Sequence, residues 1–155
     1  HGDLGPVRAL PGRRLGVAIL ERVLPGGGGG PFQLQAAIAA VHAEAPTWQS
    51  TDWPQIAVLY RMLDRAAPSP TETQNLGLAV AMAEGPEAGL ALVEPLLSDG
   101  SMRRHHRVHS VRAHLLEMAG RADAAEEAYA TAARLTSSTP EQRYLNRQLG
   151  RLTGE

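Results

Sequence analysis

The chain has 155 residues, 43% hydrophobic and 20% charged, with a formal net charge of −1 and no cysteine. That length and balance suit one folded domain with a proper core and exclude a disordered segment. The near-zero charge argues against a nucleic-acid surface, and the missing cysteines exclude disulfides and thiolate metal sites. No apolar run reaches membrane-spanning length, and the composition is compatible with a reducing cytoplasm. Only two Trp, three Tyr and one Phe anchor the packing, so Ala and Leu carry most of it, which favours helix over sheet.

In chain order, residues 1–12 carry Gly and Pro without periodicity and read as a flexible N-terminal segment. The opening His1-Gly2-Asp3, without Met, reads as part of something longer. Leu15, Ile19 and Val23 make an apolar stripe over Arg13 to Leu24, and "PGGGGG" (25–30) ends that helix with a flexible joint. Pro31 starts a second helix running to about Glu44, with Leu34, Ile38 and Val41 on one side. "APTWQSTDWP" interrupts it, and Thr51 or Asp52 is the N-cap expected for a helix entered through Pro54 and stopped by "PSP" at 68–70. Ile56, Leu59, Tyr60 and Leu63 form its stripe. Helices are then expected over 71–84, 86–98, 104–119 and 121–136, and a last, more charged one opens at Pro140. No segment alternates with a period of two, so the chain reads as all-α.

Gly85 and Gly120 lie 35 residues apart, each closing one helix just before the next begins. That spacing points to stacked helical hairpins of the tetratricopeptide (TPR) type, whose second helix carries a small residue four positions before an aromatic. Ala125 and Tyr129 fit that pattern, Ile56 and Tyr60 fit in part, and Gly89 and Val93 fit weakly. The expected fold is seven to eight helices in one domain over 13–152, with 140–152 as a C-terminal capping helix. A single hairpin of this size cannot bury its apolar face, whereas a stack can.

No sequence motif suggests catalysis or a cofactor: "GGGGG" lacks the Lys-Ser/Thr of a phosphate loop, and no nucleophile triad or carboxylate pair stands out. In "MRRHHRVH" (102–109), His105 and His109 are four apart and would share a helix face, as zinc ligands often do. No third ligand has suitable spacing, so packing or capping is the expected use of these histidines. The arginines beside them suit either an acidic partner or a solvated helix start. In a TPR-type stack the first helix of each pair lines a groove, which makes Gln33, Gln35, His42 and Asn75 candidate protein-binding residues. Arg107, Ser110, Arg112 and His114 join them by the same argument.

"GPFQLQAAIAAVHAEA" followed by "TDWPQIAVLYRMLDRAAPSP" resembles the C-terminal extension of a group of bacterial RNA polymerase sigma factors. These are extracytoplasmic-function-like sigma factors with an appended TPR-like domain, frequent in actinobacteria and often encoded beside small YCII-related (DGPF-motif) proteins. The likeness continues through "GLAVAMAEGPEAGLAL", "HHRVHSVRAHLLEMAGR" and "AAEEAYATAARLTSSTPEQRYLNRQL", covering about residues 13–150. Two features depart from it: "HGDLGPVRALPGRR" replaces a charged stretch ending in a Trp-Asp-like pair, and "LGLAVAM" lacks the usual basic residue. The promoter-melting and promoter-recognising domains are absent from this sequence.

The resemblance implies a cytoplasmic regulatory domain that modulates transcription initiation by contacting the sigma factor's own N-terminal domains or RNA polymerase. It implies no direct binding of nucleic acid by this segment, no membrane and no enzymatic activity. The expected contact surface centres on Gln33–His42 and Thr51–Pro54, including Asp52 and Trp53. Trp53 has two readings: a partner contact, or a plug folded back into the core. Two other functions remain open: a free-standing scaffold for an unrelated peptide or protein, and a small-molecule sensor with a pocket between helices 31–44 and 54–66.

Overall fold

The computed structural model describes residues 30–154, and the expected tether over 1–12 and helix over 13–24 lie outside them. Among the described residues there are eight α-helices, one 3-10 segment and no strand, and the fold is an all-α helical-repeat architecture. They fall into two compact units that divide between Ala67 and Pro68.

The first unit is a helical hairpin, α1 (Pro31–Glu44) and α2 (Trp53–Ala66). In α1, Leu34, Ala37, Ile38 and Val41 are buried, the i, i+3, i+4, i+7 spacing that puts side chains on one face. In α2, Ile56, Ala57, Leu59 and Leu63 are buried against them. Full burial of each larger side chain contributes about 1.5–3 kcal/mol. Tyr60, expected on that stripe, is only half-buried.

The connection between the two helices is built from side-chain caps. Thr47 and Ser50 exchange bonds: the Thr47 N–H donates to Ser50 Oγ (3.1 Å) and the Ser50 N–H to Thr47 Oγ1 (3.2 Å). The Thr51 hydroxyl donates to the Thr47 carbonyl (3.2 Å), and Asp52 Oδ1 accepts from the Gln55 N–H (3.2 Å). Of the two caps expected for α2, Asp52 is the one used. Such a cap contributes about 1 kcal/mol.

The second unit begins with α3 (Pro70–Glu84), whose N-cap Ser69 accepts from the Glu72 N–H at 3.1 Å. Gly85 has φ 111° and lets the chain turn directly into α4 (Pro86–Val93). Where α3 and α4 cross, a Cβ on Gly89 would lie 2.5 Å from the Gly77 carbonyl oxygen, and one on Gly77 would lie 2.5 Å from Val93 Cγ2. The weak repeat of the sequence is thus the tightest helix contact, with Gly89 as the small residue and the fully buried Val93 in the aromatic slot.

One expected helix is broken and another starts late. The one over 86–98 ends at Val93 and continues as a 3-10 segment, Glu94–Ser98. Pro95 causes this, because it has no N–H to donate and its ring crowds the preceding turn. The one expected over 104–119 runs as α6 (His106–Met118), and a short helix that was not expected, α5 (Gly100–Arg103), precedes it. Asp99 starts the chain early by accepting from the Ser101 and Met102 N–H groups, and His105 restarts it by accepting from the Arg107 N–H through Nδ1 (3.4 Å).

Helix α6 ends in a Schellman motif. The Arg121 N–H donates to the Leu116 carbonyl (2.9 Å) and the Gly120 N–H to the Glu117 carbonyl (3.0 Å), with Gly120 at φ 78°. This is the positive-φ counterpart of Gly85 and the physical basis of the 35-residue spacing. Then α7 (Ala122–Leu135) packs on α6, burying Ala125, Ala128, Tyr129 and Ala132. Finally α8 (Thr139–Thr153) packs on α7 through Leu145, which is fully buried, while most of its other residues face solvent. That one-sided burial makes it the cap of the stack.

Glu117 ties three helices together. Its carboxylate accepts from the Tyr129 hydroxyl (3.0 Å) and pairs with Arg151. Burial first, and then the Glu117 carboxylate, push the Tyr129 phenol far above its ordinary value of 10, with Arg151 opposing in part.

Candidate protein-interaction surface

In the first unit the expected surface residues separate by depth. Gln33 and Gln35 are exposed on α1, away from the Leu34–Val41 stripe. His42 is half-buried, its ring edge-on to Trp53 at 5.5 Å, and burial lowers its pKa below 6.5. Asp52 is the N-cap of α2 and keeps one carboxylate oxygen on its backbone.

Trp53 requires a correction. Only 7% exposed, it is the core plug and not a surface contact. Its indole N–H donates to the Trp48 carbonyl (3.3 Å), and its ring packs between His42 and Trp48. An indole whose polar tip has a partner inside the protein gains by staying buried.

The exposed aromatic is Trp48, at 48%, resting on Trp53 with ring centroids 4.6 Å apart. Phe32, 84% exposed, is the other. Neither was selected from the sequence, yet Phe32 precedes Leu34 by two positions and so falls off the buried stripe of α1. Phe32 lies in the first turn of α1, whose fourteen residues span about 20 Å, and Trp48 lies in the connection that follows its last turn. Two exposed aromatics flanking the helix, with glutamine amides between them, are suited to anchoring a protein surface.

In the second unit, Asn75 on α3 and Arg107 on α6 are brought together, the guanidinium donating to Asn75 Oδ1 at 3.5 Å. The Ser110 hydroxyl donates to the Arg107 carbonyl (2.9 Å), and His114 is half-buried. Arg112 is committed internally: its Nε donates to Glu94 Oε1 at 2.8 Å, tying α6 to the 3-10 segment. His105 and His109 do not share a helix face, since His105 is the N-cap of α6 and His109 Nε2 bonds the Arg103 carbonyl at 2.7 Å. Among the described residues no three His, Asp or Glu side chains gather as a metal site, and no helix is long and apolar enough to cross a membrane.

The chain is 40% identical over 139 residues to an uncharacterized protein of Rhizobium meliloti (strain 1021). The match takes in 90% of this chain and 32% of that protein, so the chain spans about a third of the length of the relative it matches. No family model and no solved structure matches it.

Proposed function

We propose that this chain is a regulatory, protein-interaction domain of a bacterial sigma factor, contacting the sigma core domains or RNA polymerase to modulate transcription initiation. The observation that carries the reading is the pair of exposed aromatics of the first unit, Phe32 and Trp48, at the two ends of the α1 face that also bears Gln33 and Gln35. The resemblance of its motifs to sigma-factor extensions supplies the partner. The match to one third of a longer rhizobial protein fits a module that works inside a larger chain. On this reading the protein is cytoplasmic, Phe32 is free for a partner, and Trp48 both covers Trp53 and offers its exposed part to that partner.

The test is a binding titration of the domain, immobilised, against core RNA polymerase and against the remainder of the sigma factor. Saturable binding to one of them is expected, weakened about tenfold or more by Phe32→Ala with Trp48→Ala while circular dichroism shows the domain still folded at the assay temperature. No saturable binding to either, or wild-type binding by the double variant, would sink the proposal.

A further inference from the structure

The corner between α5 and α6 concentrates positive charge that no ion pair among the described residues matches. Arg103, Arg104 and Arg107 are all exposed there, and the rings of His105 and His106 stack between them with centroids 5.2 Å apart. Three other arginines of the same unit behave differently: Arg112 pairs with Glu94, Arg121 with Glu87 and Arg151 with Glu117. Among the described residues none of the three corner arginines has an ion pair. The nearest acid in sequence, Asp99, turns its Oδ1 to the Ser101 and Met102 N–H groups and makes no ion pair with these arginines.

The corner is also held in shape. Asn75 tethers the Arg107 guanidinium through a neutral oxygen, which orients the group without cancelling its charge. His109 holds the Arg103 carbonyl at 2.7 Å, and His105 fixes the start of α6 through the Arg107 N–H. These bonds fix the backbone of the corner and the Arg107 fork, and guanidiniums are matched to carboxylates, which they bind through paired, charge-assisted hydrogen bonds.

We propose that this corner is a docking site for a carboxylate-rich segment of a partner protein. Three guanidiniums within five residues complement two or three neighbouring carboxylates, whereas a net charge of −1 disfavours the long polyanion of a nucleic acid. The inference rests on the reading of the chain as a protein-interaction domain and adds the partner's chemistry. Its test needs no polymerase, so the two fail separately.

The probe is a fluorescein-labelled peptide of ten glutamates, titrated with the 155-residue chain and followed by anisotropy at low and at near-physiological salt. Saturable binding that weakens with salt is expected. Arg103→Gln with Arg104→Gln, which spares the Asn75 tether, should weaken it about tenfold, and adding Arg107→Gln should weaken it further. Arg143→Gln with Arg147→Gln removes the same charge from α8 and should change it less than about twofold. The proposal is overturned if both pairs weaken binding alike, if the peptide does not saturate, or if a 20-base-pair DNA duplex binds more tightly than the peptide.

Discussion

Gly89→Ala is the substitution whose sign the structure decides. Gly89 lies within α4, so alanine there gains about 1 kcal/mol of helix propensity. Against that gain, the new methyl would sit 2.5 Å from both the Gly77 carbonyl oxygen and Ala81 Cβ, and 3.1 Å from Ala81 Cα. That is about 1 Å short of ordinary contact. Two of the three obstacles are backbone atoms of α3, so no rotamer change relieves them and the helices must separate. Overpacking of this kind costs about 1–3 kcal/mol, and a forced helix separation belongs at the upper end. The net expectation is a loss of about 2 kcal/mol, or a fall in melting temperature on the order of 10 °C for a unit of this size. Gly77→Ala meets first a side-chain atom, Val93 Cγ2, and should cost less, about 1 kcal/mol. Thermal and urea denaturation followed by circular dichroism measure both. A Gly89→Ala protein that melts higher than the wild type would refute the close approach and, with it, the placement of Gly89 in the small-residue slot.

Leu145→Ala, which empties a fully buried site under the capping helix, should cost about 2–5 kcal/mol by urea denaturation. Tyr129→Phe removes the bond to Glu117 and should cost about 1–2 kcal/mol near neutral pH. Because the folded phenol titrates far above the unfolded value of 10, the wild type keeps this stability below pH 10 and loses it as pH rises further; melts across the alkaline range should decline less for the Phe variant. His42 has the opposite linkage. Its unfolded imidazole takes a proton near pH 6.5 and the folded one only lower, so stability is full above 6.5 and falls as pH drops from there to the folded value. Melts between pH 5 and 8 should show a smaller acid loss for His42→Gln than for wild type, and parallel curves would contradict the burial of this ring against Trp53.

Where burial follows a helical period, the sequence was sufficient. The Leu34, Ile38, Val41 face, the Asp52 cap and the Gly85 and Gly120 turns all have local causes, and each is present in the structure. The break at Pro95 and the short helix α5 ahead of α6 were not legible in the same way. There the outcome is set by a proline's missing donor and by two competing side-chain caps, Asp99 and His105, within a run whose hydrophobic spacing still looks helical. The depth of the two tryptophans was the least legible feature. Both sit in one short insert, and Trp53 is turned inward at the start of α2, packed against His42 with its indole N–H on the Trp48 carbonyl. The candidate surface therefore shifted from Trp53 to Trp48 while Gln33 and Gln35 stayed exposed on α1.

The central claim, that this domain is a working part of transcription initiation, is tested most directly by truncation. In vitro transcription would compare the complete parent sigma factor with a version ending before residue 13 of this chain. The account predicts that truncation abolishes or deregulates promoter-directed RNA synthesis, and that Phe32→Ala with Trp48→Ala in the full protein reproduces part of the effect. Unchanged transcription after truncation would contradict it.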